Sequence, residues 1–178
     1  VARMLGFRLP ENFDGPYRSR SVREFWRRWH ITLSSWVRDY IFFPLGGSRG
    51  LPEAKVVRNL FITMVLGGLW HGAAWTFVVW GAIHGLVLMA EKWLRPQLAP
   101  RMQSEPVRRL SKIAGWLITM LVVFTAWVFF RAASFGQAFL MLRRMYGFGT
   151  GAAWFEPFTI AMLTAVAAIS ILSAMRRV

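Results

Sequence analysis

Between Arg58 and Glu91 the chain carries no charged residue. An apolar run of that length exceeds the roughly 20 residues that cross a bilayer core as helix, so it predicts membrane-embedded helix. At its centre lies VLGGLWHGAAW (65–75), and reading on to Gly85 brings in a second imidazole, His84. A titratable ring at membrane depth is costly and calls for a partner or a function. Gly68 and Gly72 bracket His71. Glycine lets backbone or ligand approach closely and permits a helix to break; a break at that depth is tolerated where it is buried in protein or lines a wet cavity. The same pattern also suits a histidine that is merely hydrogen-bonded in a core, and the local residues leave both readings open.

Composition agrees with the membrane reading. Of 178 residues, 56% are hydrophobic and 16% aromatic, above the roughly 45–50% apolar share of soluble domains. The net charge is +14. Such a balance fits either phosphate neutralisation on nucleic acid or basic flanks against lipid head groups. The arginines sit at the ends of apolar runs, which favours lipid and argues against nucleic acid. Cysteine is absent, so disulfides, thiolate metal sites and cysteine nucleophiles are excluded. Val1–Leu5 has neither an initiator methionine nor a full signal-peptide pattern. It reads as the tail of a span, and the sequence as a piece of a longer protein.

Taken in order, residues 1–20 are rich in turn formers (Pro10, Asn12, Asp14, Gly15, Pro16) and predict a loop at a membrane surface. Ser21 and Glu24 form a capping box opening a helix over 21–43. Phe25, Trp29, Leu33 (or Thr32) and Trp36 recur at helical spacing, with Arg23, Arg27, Arg28 and Arg38 elsewhere on the wheel. That is the pattern of a helix lying in the interface. His30 shares a stripe with Trp26 and Ser34, off the aromatic face. PLGGSRG (44–50) breaks the helix. Residues 57–70 predict a short apolar helix broken near Gly67 and Gly68, and 73–91 a second, ending at Glu91, Lys92 and Pro96. Residues 92–112 predict a polar loop, 113–130 a span closed by Arg131, and Ser134 the cap of a short amphipathic helix with Phe139, Leu142 and Met145 on one side. Glycines 147, 149 and 151 predict a loop, and 157–175 a last span ended by Arg176 and Arg177. Six Lys/Arg in 92–112 against three in 131–156 place the first of these and the C-terminus in the cytoplasm.

Three histidines supply the available acid–base chemistry: His30, His71 and His84. His71 and His84 stand about 140° apart on a continuous helix, and the intervals 30 to 71 and 71 to 84 match no common metal-ligand pattern. No phosphate loop, HExxH or GxSxG motif occurs. Shielding by Trp70, Trp75 and Trp80 favours a neutral ring, the form a general base needs. Such a base could take the proton of an acceptor hydroxyl attacking an acyl carbonyl, in a chamber that keeps water from the donor.

EFWRRWHITLSSWVRDYIFFPLGGSRG (24–50) followed by RNLFITMVLGGLWHGAAWTFVVWGAIHG (58–85) resembles the membrane-bound O-acyltransferase family, and most of all its bacterial branch acting on polysaccharides such as alginate. The branch that moves D-alanine onto teichoic acid is a more distant likeness. LGFRLPENFDGPY upstream and FFRAASFGQAFLMLRRM downstream also fit, so that the resemblance covers roughly residues 5–146. It implies an all-α integral membrane fold: a multi-helix bundle with interfacial amphipathic helices, a broken helix at the active site, and a tunnel joining the two sides. Residues 1–178 would be the C-terminal part of that single membrane domain, without the N-terminal spans and unable to enclose the tunnel alone. His71 matches the family's catalytic histidine and His30 its second characteristic position. His84 is expected to line the chamber or to be structural, with Trp70, Trp75, Trp36, Arg38 and Asp39 as further lining. The implied activity is transfer of acetyl groups to hydroxyls of an exported polysaccharide, with no bound cofactor and with acetyl-CoA or another activated acetyl carrier as donor. The implied setting is the bacterial inner membrane, multi-pass, with lipid, the polysaccharide, and a periplasmic acetyltransferase or export partners. The competing expectations are a non-catalytic subunit that passes acyl groups or docks such a transferase, and a basic protein of the membrane surface.

Overall fold

A computed structural model describes residues 2–102 and 104–147, which are helical, with no strand among them. Six α-helices follow in order: α1 Val22–Arg28, α2 Ile31–Val37, α3 Glu53–Trp70, α4 Trp75–Leu98, α5 Glu105–Arg131 and α6 Phe135–Met145. Residues 1–138 form one compact unit, which holds every element discussed for the site; a second begins at Phe139. The expected span 157–175, its closing arginines and glycines 149 and 151 lie outside the described residues.

The centre of the first unit is the hairpin of α3 and α4. These helices touch because glycine leaves the space. A Cβ on Gly68 would strike the carbonyl of Phe77, one on Gly81 the carbonyl of Met64, and one on Gly85 the ring of Phe61 at 2.9 Å. Small residues that let two backbones meet are the usual device of membrane helix pairs. The break expected near Gly67 and Gly68 is therefore displaced: α3 runs through both and ends at Trp70, and the chain reverses over residues 71–74. Gly68 serves packing and leaves the helix intact.

α4 and α5 are each long and apolar enough to cross a membrane. α4 continues past Pro96 to Leu98, and α5 starts at Glu105. The polar stretch 92–112 is thus mostly helix and not a loop. Its charges lie on helix ends, where long basic side chains reach the polar boundary. α5 ends at Arg131, as expected. Ser134 caps α6, its hydroxyl accepting from Gln137 N–H at 3.3 Å.

α1 lies alongside α4. Glu91 of α4 accepts the N–H groups of Val22 and Arg23 at 2.5 and 3.1 Å, so a carboxylate from a distant helix covers donors that α1 leaves open. Ser21 caps from within, accepting Glu24 N–H at 3.0 Å. Glu24 reaches back to Arg20 N–H at 2.9 Å, one residue before the cap, and pairs with Arg28 at 3.0 Å. Phe25 and Val22 are fully buried, and Trp127 of α5 closes the aromatic layer against Phe25 and Trp29. The loop before α1 docks on α5, where Trp116 Nε1 donates to Tyr17 O at 2.7 Å and Gly115 admits the carbonyl of Arg20.

The single helix expected over 21–43 is broken. Trp29 leaves α1 in an extended conformation and His30 turns left-handed, φ 46° and ψ 54°, before α2 begins at Ile31. The break removes backbone bonds, and other groups replace them. Arg28 O accepts from Asp14 N at 3.0 Å, and Trp29 O from Ser34 Oγ at 3.1 Å. Ile31 N donates to Asn12 O at 2.9 Å, and Thr32 N to Asn12 Oδ1 at 3.1 Å. Buried backbone groups need such partners. The stripe of His30 with Trp26 and Ser34, and the common face of Phe25, Trp29, Leu33 and Trp36, are consequently lost. α2 instead runs into a wide turn at Arg38–Phe42.

Candidate functional site

The turn between α3 and α4 holds His71. α3 closes on tightened bonds, His71 N to Gly68 O at 3.0 Å and Gly72 N to Leu69 O at 3.1 Å. Gly72 leaves room for the ring of Phe77, which a Cβ there would meet at 2.8 Å. The turn sets the imidazole in an aromatic box. Trp70, Trp80 and Phe130 meet it edge to face, with centroids at 5.0, 5.4 and 4.9 Å, and Phe77 lies tilted at 6.1 Å. Edge-to-face contacts fix the plane of a ring without consuming its nitrogens. His71 is half-buried.

His30 arrives from the other side. Along α4 the contacts of α1 run from Val22 at Glu91 to Trp26 at His84 and Trp80, with centroids at 5.1 and 5.7 Å. The end of α1 therefore points toward the start of α4, where His71 lies. His30 follows Trp26 by four residues, and Trp26 and His71 both pack on the ring of Trp80, at 5.7 and 5.4 Å. Phe13 packs on His30 at 5.9 Å and on Trp29 at 5.0 Å. Nδ1 of His30 is buried with no hydrogen-bond partner among the described residues.

His84 is fully buried, between the rings of Trp26 and Trp80 at 5.1 Å each. Trp80 thus separates it from His71 while touching both. Neither nitrogen of His84 has a partner among the described residues, nor does Nε1 of Trp26 or Trp80.

The other expected lining residues divide. Trp70 is part of the box. Trp75 lies outside the ring set of His71 and is 74% exposed. Trp36 packs tilted on Tyr40 at 5.4 Å, outside the ring set of His71. Arg38 and Asp39 pair with each other at 2.7 Å on an exposed turn, where the guanidinium's hydrogen bond holds the Asp39 carboxyl below its ordinary range. No three His, Asp or Glu side chains converge on a metal-sized site among the described residues. Sequence reasoning did not single out Phe77, Phe130, Trp26 or Glu91 for the site. Phe130 comes from a helix whose partner no local pattern reveals. Asn12 was visible only as a turn former.

A half-shielded imidazole beside a second histidine can accept a proton and pass it on, which is the equipment for general acid–base transfer. Comparison with known proteins bears on which transfer. The profile of the MBOAT, membrane-bound O-acyltransferase family, matches residues 2–141. The chain is 50% identical over 147 residues to the probable alginate O-acetylase AlgI of Pseudomonas aeruginosa, covering 83% of this chain and 26% of that protein. It is 40% identical over 151 residues to the peptidoglycan O-acetyltransferase of Helicobacter pylori, covering 83% and 27%. It is 32% identical over 146 residues to the teichoic acid D-alanyltransferase of Streptococcus thermophilus, covering 73% and 35%. The chain spans about a quarter of the length of the first of these relatives. Both histidines, the hairpin and the α1 break fall inside the matched region, and the chain belongs to the membrane-bound O-acyltransferase family.

Proposed function

We propose that the protein is a membrane O-acyltransferase that moves acetyl groups toward hydroxyls of an exported polysaccharide, alginate being the leading candidate, with His71 as general base. The observation that carries this is the turn at 71–74. It sets His71 in a ring box that leaves its nitrogens uncommitted to those rings, and one wall of that box, Trp80, also packs on Trp26 of the helix leading to His30. The donor would be acetyl-CoA or another activated acetyl carrier, bound as substrate. His71 takes the proton of the attacking hydroxyl as its oxygen bonds to the acyl carbon. The bond from that carbon to the carrier then breaks, and the proton passes on to the departing carrier. A general base contributes about 10²–10⁴-fold to such a step. His30 is the second catalytic histidine in this reading, able to share the transferred charge.

The setting is the bacterial inner membrane, crossed several times, with the acceptor reached directly or through a periplasmic acetyltransferase. Substitution of His71 by alanine in the intact protein is expected to abolish polysaccharide acetylation, read by mass analysis of the polymer, at unchanged protein level. Acetylation that persists at full extent in this variant overturns the assignment and favours a subunit that docks a transferase without chemistry of its own.

A further inference from the structure

Among the described residues His30 is the sole non-glycine residue with positive φ, at 46°. For an L-residue with a Cβ this conformation is unfavourable and persists only where surroundings fix it. Foremost among the surroundings is Asn12. The backbone carbonyl of Asn12 accepts from Ile31 N at 2.9 Å. Its side-chain carbonyl accepts twice from Thr32, from N at 3.1 Å and from Oγ1 at 2.6 Å. Both positions following His30 are thereby anchored to one residue 19 and 20 positions earlier. The residue before the break is anchored as well: Asp14 N donates to Arg28 O at 3.0 Å, and Arg28 Nη1 returns to Asp14 O at 3.1 Å. The ring between, Phe13, lies against Trp29 and His30. Without the Asn12 acceptors the cheaper course is for α1 to continue through residue 30 as helix. That would rotate the His30 side chain by a large part of a turn.

We propose that Asn12 is a positioning residue that holds the backbone of His30 left-handed and so fixes where its imidazole stands relative to His71. The importance of this to the reaction rests on the catalytic reading of His30 above; the geometric hold does not. Three substitutions in the intact protein, in its own membrane, test it: Asn12→Leu removes the side-chain acceptor at similar size, Asn12→Asp keeps an acceptor oxygen, and Thr32→Val removes one of the two donors. The readouts are the rate at which diethyl pyrocarbonate modifies each histidine, resolved by mass spectrometry, and polysaccharide acetylation. Asn12→Leu is expected to change modification of His30 several-fold while fully buried His84 stays protected, and to lower acetylation. Asn12→Asp is expected to restore both, and Thr32→Val to shift His30 modification in the same direction by less.

Wild-type reactivity of His30 in Asn12→Leu overturns the proposal. If Asn12→Leu also opens His84, the fold has been lost, and Thr32→Val decides: unchanged His30 reactivity there overturns the proposal, and a selective change sustains it. Full acetylation by a His30→Ala protein, beside the expected modification pattern, removes the catalytic reading of His30 and leaves the hold of Asn12 standing.

Discussion

The chain interrupts helix twice near a histidine, and the two interruptions are built differently. At His71 the backbone reverses because two helices must fold against each other; the turn is held by glycine contacts and rings. At His30 the helix could have continued, and an unrelated segment holds it open with hydrogen bonds. The first is a packing break, tolerant of polar change and intolerant of volume. The second is a polar break, tolerant of volume nearby and intolerant of losing an acceptor. A site made from one of each has two independent ways to fail.

The largest test of the contrast is volume in the hairpin. Gly68→Leu should push α3 from α4 and cost about 3 kcal/mol or more, at or beyond the usual range for overpacking. The expected outcome is loss of folded protein in detergent, read by size exclusion and thermal aggregation. Next comes Glu91→Ala, which uncovers two α1 N–H groups and should cost about 2–3 kcal/mol, since these are bonds to a charged acceptor. Its thermal midpoint should fall while hydrogen exchange across the α3–α4 turn stays slow. Equal loosening at both breaks would show that they are one structure. Ser21→Ala removes the local cap and should cost about 1 kcal/mol, seen as faster exchange confined to the start of α1. Smallest is Lys92→Ala. It dissolves an exposed contact of 3.7 Å to Glu53 and should change stability by less than about 0.5 kcal/mol. A larger loss would mean that the far end of the hairpin contributes more than an exposed ion pair usually does.

How much could be read beforehand follows the same division. His71 was legible as a candidate because an imidazole between glycines in an uncharged run is locally abnormal, but the turn that carries it falls at 71–74, beyond the glycines where a break is expected. The cap at Ser21 and Glu24 was legible because its donor and acceptor are three residues apart. The break at His30 was not, since its cause lies at Asn12, and the intervening residues keep a helical period right through it. Gly67 and Gly68 misled in the opposite direction. Glycine has two uses, bending a backbone and admitting a neighbour, and only the position of Phe77 and Gly81 tells which applies. Lys92, Arg95, Arg108 and Arg109 suggest a loop because they interrupt the apolar runs, whereas they lie on the polar ends of α4 and α5.

The clasp of Tyr17 by Trp116, and of Val22 by Glu91, has a consequence for how the chain is made. The two partners are separated by 99 and 69 residues. At about 5–20 residues per second of synthesis, the segment bearing His30 waits roughly 5–20 s before α5 exists to receive it. During that interval the Asn12 bonds that hold His30 left-handed can already form, because donors and acceptors lie within one short stretch, while Tyr17 and Trp29 still lack Trp116 and Trp127. Both histidines therefore receive their last ring neighbours from the same late helix, Phe130 against His71 and Trp127 against Trp29 beside His30, so that α5 completes the two together.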